Sequence, residues 1–268
     1  MRKPQVNELL WYLLNKYDHY VLLYYHICID QCYTHYNSRC FQGIEKGSCN
    51  HPWEGIGVFS YFLINFWFTR VQANKAAIKA LTVNRVGDWF LSLFFFIAII
   101  AFGSLDYSII FTITPLINDS TITLLAILAL IGSSAKSAQL FLSIWLPSSM
   151  EGPTPVSSLI HAATLVCSGV YLLIRTSPLL EYSETALIIT LWVGALTALL
   201  AASVGLLQND IKKIIAFSTI SQLGYTYVAI GISAHNLALF HLINHAMFKS
   251  LLFLSAGAVI HAMNDIQD

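Results

Sequence analysis

Long apolar stretches constrain the fold of this chain more than any other feature of its sequence. A helix needs about 20 largely apolar residues to cross the hydrocarbon core of a membrane. Hydrophobic residues make up 56% of the 268 residues and charged residues only 10%, against about 25% charged residues in a typical soluble domain. We therefore expect an all-α, polytopic transmembrane helical bundle, with seven spans at roughly 54–69, 86–104, 121–145, 155–174, 186–207, 214–232 and 237–262.

Composition and motifs also exclude several classes of function. The formal net charge is zero, and because no basic block is present, nucleic acid is not an expected partner. The sequence lacks a Walker loop, a dinucleotide-binding glycine motif, an H-E-x-x-H zinc motif and a G-x-S-x-G elbow. Catalysis of the kind that soluble enzymes carry out therefore has no support.

The first 52 residues form an atypical N-terminal segment that is rich in Tyr, Cys and His and has no membrane period. Several of its side chains are of types that bind zinc, namely His26, Cys28, Cys32, His35, Cys40, Cys49 and His51. Their spacings do not form the two paired units of common structural zinc sites. We therefore predict no metal site, and we treat residues 1–52 as an irregular or non-native extension of a transmembrane domain at 53–268.

A proline-rich segment separates the third predicted span from the fourth. The segment "WLPSSMEGPTP" contains Pro147, Pro153, Pro155 and Gly152, and proline interrupts a helix because it lacks a backbone N–H and clashes with the preceding turn. We expect a helix break near residues 145–155. Backbone groups freed at membrane depth must be satisfied by protein or by a water-filled cavity. The segment is thus either an ordinary loop or a break beside a functional cavity.

Ionisable residues inside the predicted spans are the candidate functional residues. A lysine at the centre of a membrane helix costs roughly 2.5–3.5 kcal/mol on insertion scales, so such residues are usually paired and functional. Lys136 lies well inside the third span, His161 about two turns into the fourth, and Glu54 opens the first. The seventh span adds a row at four-residue spacing, which lies on one helical face: His241, His245 and Lys249.

Each of these residues also has a structural explanation. A histidine such as His161 can be a hydrogen-bonded packing residue, and Glu54 can anchor a helix at the membrane interface beside Trp53. Lysines near helix ends can extend their charge to the interface. Four further charges are expected at the interface or in loops, where they can support the others: Arg85, Asp88, Lys212 and Lys213.

Together, an acid, a lysine and several histidines on different helices predict a proton relay. A carboxylate keeps a nearby lysine charged, and histidine titrates near neutrality and can pass a proton between its two nitrogens. Small polar residues could hold water between these groups, namely Ser133, Ser134, Ser137, Thr164, Ser218, Thr219 and Ser221. Two alternatives stay open: a haem-binding membrane protein with a ligand pair such as His161 and His245, and a purely structural subunit.

Four contiguous motifs resemble one family of membrane proteins: "NRVGD", "WLPSSMEGPTPVSSLIHAATLV", "NDIKKIIAFSTISQLGY" and "HLINHAMFKSLLFLSAGAVIHAMNDIQD". They are similar to the chain 5 family of respiratory complex I, the proton-pumping NADH:ubiquinone oxidoreductase, in its mitochondrial form. The resemblance runs from Trp53 to the C-terminus. It implies an antiporter-like fold of two inverted five-helix repeats with broken helices, of which this chain carries the first half.

The resemblance also implies roles for individual residues. Glu54 matches the family's membrane glutamate, whose charge pairs with Lys136, and Asp88 matches a functional acid near the second span. His161 matches the next relay station, and the row of His241, His245 and Lys249 matches the central hydrophilic axis. The resulting hypothesis is that redox energy from elsewhere in the complex weakens the Glu54–Lys136 pair and drives the lysine's proton towards that axis.

The resemblance places the rest of the enzyme outside this chain. NADH, flavin, iron–sulfur clusters and ubiquinone belong to other subunits, so no cofactor is expected here. The implied partners are other membrane-arm subunits, especially the neighbouring antiporter-like subunit, and the lipid of the mitochondrial inner membrane. The large subunit of multisubunit Na+/H+ antiporters shares the "PTPVS" and "ATLV" stretches but tends to carry lysine at the position of Cys167. Sodium transport remains the alternative.

Overall fold

Every regular element is helical in the part of the chain that the structure describes. This computed structural model describes residues 50–264 and 266–267. Residues 1–49 lie outside it, so the atypical N-terminal segment and its candidate zinc ligands stay predictions. The α-helices are α1 (Asn50–Ile64), α2 (Val71–Phe102), α3 (Tyr107–Ile113), α4 (Asp119–Lys136), α5 (Trp145–Ser148), α6 (Thr154–Ser158), α7 (Leu165–Arg175), α8 (Ser177–Glu181), α9 (Glu184–Gly205), α10 (Ile211–Gly231) and α11 (His235–Ala262).

Short turns of other helical types extend or join these helices. 3-10 turns follow α1, α3 and α5, at Asn65–Trp67, Thr114–Leu116 and Ser149–Glu151. A π-helical turn, Leu159–Ala163, joins α6 to α7, and π-helical turns are frequent at functional sites. Pro155 lies in the first turn of α6, where its missing N–H has no helical partner to lose.

Six helical segments in the described part of the chain are long and apolar enough to cross a membrane. They are Val71–Phe102, Asp119–Lys136, Thr154–Arg175, Glu184–Gly205, Ile211–Gly231 and His235–Ala262. The last four lie within a few residues of the predicted spans. Large apolar side chains on several of the six segments, including Phe96, Trp192 and Phe248, are exposed, as contact with lipid requires. The chain is a multi-pass membrane protein.

The first two predicted spans differ from the structure. The span predicted at 86–104 begins at Val71, because the more polar stretch "VQANKAAIKALTVNR" is rich in alanine and other strong helix formers and extends the helix to 32 residues. The span predicted at 54–69 is a shorter apolar helix, Gly55–Trp67. A second short apolar helix, Tyr107–Leu116, is too short for the 20-residue criterion to find.

The third predicted span also ends early, because α4 stops at Lys136 rather than continuing to residue 145. Ala138 and Phe141 follow with φ angles of 51° and 70°, in the left-handed region that non-glycine residues rarely adopt. The chain then stays largely irregular up to Pro153. The predicted break near 145–155 is thus part of a longer interruption at residues 137–153, which contains α5 and the turn Ser149–Glu151.

Small residues allow close contacts between the long helices. α2 packs against α4, and α10 packs against both α9 and α11. A Cβ atom on Gly87 would overlap the Cβ atom of Ala135, and one on Gly224 would lie 2.7 Å from Thr197 Oγ1. The two glycines therefore let helix backbones approach each other, as small residues do in membrane bundles.

Candidate functional site

A buried ion pair lies where α4 ends. Lys136 is the last residue of α4 and is 1% exposed, and its Nζ lies 3.4 Å from Oδ1 of Asp88 on α2, which is 9% exposed. Basic side chains favour helix C-termini because of the helix dipole, but burying this one requires a counter-charge. Asp88 supplies that charge from a neighbouring helix.

Trp53 on α1 contacts both members of this pair. Its indole Nε1 donates a hydrogen bond to Asp88 Oδ1 at 2.8 Å. Its carbonyl oxygen accepts from Lys136 Nζ at 3.4 Å, and the same Nζ lies 5.4 Å from the centroid of its ring, within the range of a cation–π contact. A Cβ atom on Gly57 would lie 3.1 Å from that Nζ. Three helices thus converge on one ammonium group.

The position of Asp88 corrects the expectation that it lies at the interface. Because α2 begins at Val71, Asp88 is about 25 Å along that helix at 1.5 Å per residue. It is therefore an interior residue of the span, and it lies beside Lys136. The predicted Glu54–Lys136 pair stays a prediction, since the backbone of Glu54 belongs to α1 while its side chain lies outside the described atoms.

Side chains and loop amides satisfy three of the carbonyl groups that the end of α4 leaves open. Ser133 O accepts from the Ser137 backbone N–H at 3.0 Å and from Ser137 Oγ at 2.8 Å. Ser134 O accepts from the Gln139 N–H at 2.9 Å. Ala135 O accepts from the indole Nε1 of Trp145 at 3.0 Å. Protein groups thus satisfy these three carbonyls, as backbone freed at membrane depth requires.

A buried hydroxyl network extends from this break to α9 and α10. Tyr227 OH lies 2.6 Å from Ser137 Oγ and donates to Ser133 Oγ at 2.9 Å. Gln139 Nε2 donates to Ser137 O at 3.1 Å, and Thr197 Oγ1 donates to Gln139 Oε1 at 2.7 Å. Ser133 and Ser137 were predicted to hold water. The sequence provides no comparable signal for Tyr227, Gln139 or Thr197, since their roles depend on which helices meet.

Replacing Tyr227 with Phe is expected to destabilise the protein, because it removes the hydroxyl that joins α10 to the end of α4. A buried hydrogen bond contributes about 0.5–1.5 kcal/mol, so the thermal midpoint of the detergent-solubilised protein should fall measurably. The matched control is Tyr225→Phe, two residues away on the same helix, where the side chain is 55% exposed. Equal midpoints for the two variants would contradict the role given to Tyr227.

His161 is completely buried in the π-helical turn. Its Nε2 lies 3.0 Å from Ser149 Oγ, and because that hydroxyl donates to Leu146 O, the arrangement fits an Nε2–H that donates to Ser149. The imidazole contacts the rings of Trp145 and Phe253, whose centroids lie 6.0 and 6.1 Å from its own. Its Nδ1 is buried and has no partner among the described residues.

This packing also bears on the haem alternative. An iron ligand must present a ring nitrogen to an open face large enough for a porphyrin. His161 is instead completely buried, with two aromatic rings close to it and its Nε2 against Ser149. The geometry therefore opposes a haem at this histidine.

The predicted row on α11 is partly buried. His245 and Lys249 are each 5% exposed, whereas His241 is half-buried. Lys249 Nζ donates to Ser218 Oγ on α10 at 2.6 Å. Both ring nitrogens of His245 are buried without a partner among the described residues.

The remaining candidate charges lie apart from the Asp88–Lys136 pair or on the surface. Lys212 and Lys213 are in the first turn of α10, as predicted for helix-start charges. Lys212 is 6% exposed and its Nζ donates to Gly152 O at 3.5 Å, which links α10 to the helix break. Lys213 forms an ion pair with Asp210. Arg85 lies nearly one turn before Asp88 and is exposed.

Comparison with known sequences places these features in one family. The family model described as "NADH:quinone oxidoreductase/Mrp antiporter, TM" matches residues 52–268. Proteins called NADH-ubiquinone oxidoreductase chain 5 are similar, with 65% identity over 217 residues in Mycosarcoma maydis and 62% over 216 residues in Rhizopus stolonifer. Each alignment covers 81% of this chain and 32% or 33% of the relative. The chain thus spans about a third of the length of these curated relatives.

Solved structures show the same fold. A chain of the Mrp complex from Dietzia sp. DQ12-45-1b aligns with a TM-score of 0.76 and 32% identity over 79% of this chain and 24% of its own length. A chain of the archaeal membrane-bound sulfane sulfur reductase aligns with a TM-score of 0.69 over 76% of this chain and 43% of its own, at 23% identity. The chain belongs to the NADH:quinone oxidoreductase/Mrp antiporter family of transmembrane proteins.

Proposed function

We propose that this chain is a proton-translocating membrane subunit of respiratory complex I, which couples electron transfer from NADH to ubiquinone to proton movement across the mitochondrial inner membrane. The names of the relatives at 62–65% identity support this assignment. The observation that carries it in the molecule is the buried Asp88–Lys136 pair at the end of a broken helix. Burying two charges costs desolvation free energy. Ionisable residues inside membrane spans are therefore rare and usually functional.

The proposed mechanism uses the lysine as a proton store. A carboxylate within hydrogen-bonding distance stabilises the ammonium form of Lys136. When the complex moves or neutralises that carboxylate, the buried ammonium loses its counter-charge and releases a proton to an acceptor. His161, bound to Ser149, and the buried His245 are the acceptors that the chain offers on other helices, and Lys249 lies one turn beyond His245.

Glu54 keeps its proposed role as a second carboxylate for Lys136. The position of the preceding residue supports this role. Trp53 contacts Lys136 through both its carbonyl oxygen and its indole ring, and Glu54 follows it in α1. In the proposal, Glu54 and Asp88 hold the ammonium from two helices, and a change at either one shifts the proton. In the proposal, Arg85 and Lys212 tune the potential without transferring the proton, whereas Lys213, exposed and paired with Asp210, has no part in the relay.

The redox chemistry is proposed to take place in other subunits. NADH, flavin, iron–sulfur clusters and ubiquinone would all lie there, with no cofactor in this chain. The proposed partners are the membrane-arm subunits, in particular the neighbouring antiporter-like subunit, and inner-membrane lipid. The exposed apolar faces of α2, α9 and α11 suit contact with either lipid or apolar helices of a partner.

Sodium–proton exchange is the second candidate function, and the similarity to the Mrp complex chain favours it. One local difference argues for complex I. Such antiporter chains tend to carry a lysine at the position of Cys167, and here Cys167 is 8% exposed and its Sγ–H donates to Ala162 O at 3.1 Å. This chain therefore has no positive charge at that point.

The two functions differ in their need for sodium. In sealed membrane vesicles containing the assembled complex, NADH-driven acidification is expected to have the same rate in sodium-free and sodium-containing medium, because the relay consists of groups that bind protons. A pH-sensitive dye measures the rate, and an uncoupler that abolishes the gradient provides the control. Proton movement that requires sodium, or sodium uptake that accompanies it, would contradict the complex I assignment.

A further inference from the structure

The indole of Trp53 and the ammonium of Lys136 meet at the same oxygen of Asp88. The indole Nε1 donates to Oδ1 at 2.8 Å, and Lys136 Nζ lies 3.4 Å from that same Oδ1. The first distance is that of an ordinary hydrogen bond, whereas the second is longer than the distance of about 2.7–2.9 Å typical of a charge-assisted bond. The neutral donor therefore holds this oxygen more closely than the charged donor does.

The other contacts between Trp53 and Lys136 suit an ammonium that moves. The main-chain oxygen of Trp53 accepts from Nζ at 3.4 Å, and the centroid of the indole ring lies 5.4 Å from Nζ. A cation–π contact acts over the face of a ring within about 6 Å. It therefore tolerates displacement of the cation better than a hydrogen bond does, because a hydrogen bond weakens steeply away from its preferred direction.

The same face of α1 leaves room for the ammonium. Gly57 follows Trp53 by four residues, which places the two residues on one face of the helix. A Cβ atom on Gly57 would lie 3.1 Å from Lys136 Nζ, closer than ordinary van der Waals contact. Trp53 itself is half-buried and packs against the hydrophobic core, so core contacts support its indole beside the pair.

The shared oxygen affects both the closed and the open state of the ion pair. The indole N–H partly neutralises the negative charge of Oδ1, so this oxygen attracts the ammonium less than a carboxylate oxygen without that donor would. When the ammonium leaves, Asp88 still keeps the hydrogen bond from Trp53, whereas a buried carboxylate without any donor would be costly. The indole thus weakens the closed state and stabilises the open one.

We propose that Trp53 is a positioning residue of the relay, whose indole N–H holds Asp88 and keeps the Asp88–Lys136 pair weak enough to open. This role rests on the proposed function. The indole transfers no proton: its N–H stays bonded to Oδ1 while the Lys136 ammonium moves away, releases its proton and becomes neutral. Without the indole N–H, the pair closes more tightly and releases the proton more slowly.

The distance between Lys136 Nζ and Asp88 Oδ1 tests this role separately from packing. Trp53→Phe keeps an aromatic ring beside the ammonium and removes the N–H. In electron cryo-microscopy maps of the assembled complex, the distance should shorten from 3.4 Å to the value of about 2.7–2.9 Å of a charge-assisted bond. A merely structural tryptophan predicts that the distance stays the same or lengthens, and either result would overturn the proposal.

Proton pumping by the same variant tests the consequence for conduction. In sealed vesicles with equal amounts of assembled complex, NADH-driven pumping by Trp53→Phe should fall at least severalfold, because the tighter pair opens less often. Trp192→Phe is the matched control, since Trp192 is 60% exposed on α9, and this variant should pump at the wild-type rate. Normal pumping in a fully assembled Trp53→Phe complex would overturn the role given to the indole.

The wild-type complex provides the test if Trp53→Phe fails to assemble. Maps of the resting complex and of the complex during NADH oxidation give the distances from Trp53 Nε1 and from Lys136 Nζ to Asp88 Oδ1. In part of the working complex Nζ should lie more than about 4 Å from Oδ1, beyond the limit of an ion pair, with Nε1 still within hydrogen-bonding distance. A pair that never opens, or an indole that leaves Asp88 before the ammonium does, would overturn the proposal.

Comparison with Lys136→Ala separates this inference from the proposed function. Loss of pumping in Lys136→Ala together with normal pumping in Trp53→Phe would remove the role of the indole and leave the proposed relay standing. Normal pumping in both variants would remove the relay itself. Loss of pumping in both, with the shortened distance in Trp53→Phe, is the result that the proposal predicts.

Discussion

Replacing Lys136 with Ala is expected to lower the rate of NADH-driven proton pumping by about 10²-fold or more, the range seen when a positioned acid–base group is lost. Lys136 is 1% exposed and holds its charge against Asp88 from the end of α4. Without its amine, the proposed relay has no group that can store a proton at this point. Acidification of sealed vesicles during NADH oxidation measures the effect, with assembly checked by native gel electrophoresis.

Lys213→Ala is the matched control for this variant. Lys213 also pairs with an aspartate, but it is 40% exposed at the start of α10, and exposed pairs contribute little. It should therefore pump at the wild-type rate. If Lys136→Ala assembled fully and pumped as fast as Lys213→Ala, the lysine would be a structural residue and the proposed relay would be wrong.

Replacing Asp88 with Asn is expected to lower both pumping and stability. The amide retains the shape of the carboxylate and can still accept from Trp53 Nε1, but it no longer neutralises the ammonium 3.4 Å away. Removing one member of a buried pair typically costs about 3–5 kcal/mol. Thermal inactivation of NADH-driven pumping measures the loss of stability, and the initial rate measures the loss of function.

A double variant shows whether the two residues act as a pair. Lys136→Met removes the charge with little change in volume, and combined with Asp88→Asn it leaves no unpaired charge in this contact. The double variant should be more stable than Asp88→Asn alone, because the ammonium that lost its Asp88 partner is gone. The stability losses of two residues in contact are not additive. The double variant should still fail to pump. Additive losses of stability would show that the Asp88–Lys136 contact is not energetically coupled.

The apolar spans of the second half of the chain could be predicted from the sequence because hydropathy alone determines them. The predictions at 186–207 and 214–232 agree with α9 and α10 within a few residues. The start of α2 could not be found this way. Its first two turns contain asparagine and lysine, and they are helical because of alanine-rich propensity and packing of Ala73, Ala76 and Ala77 rather than hydropathy.

The sequence indicated which charged residues lie inside apolar helices, but not their contacts. Unusual charge inside apolar sequence is a strong signal, and it led to the prediction of Lys136 and the row on α11 as relay residues, which stays a prediction. Asp88 was assigned to the interface because the span boundary was placed too late. Three contacts of the site join residues far apart in the chain. They are the ion pair of Asp88 with Lys136, the hydrogen bond of Lys249 to Ser218 and the hydrogen bond between Tyr227 and Ser137. No local pattern specifies such contacts without the helix packing.

The conversion of Lys136 to Arg tests the central claim most directly. Arginine keeps the positive charge beside Asp88, so the pair and the assembly should persist, but guanidinium does not release its proton in proteins. The measurement is the rate of NADH-driven proton pumping by vesicles with equal amounts of assembled complex. We predict that the Lys136→Arg complex assembles and pumps as poorly as Lys136→Ala. Pumping at the wild-type rate would contradict the claim, since only the charge of Lys136, and not its proton, would then matter.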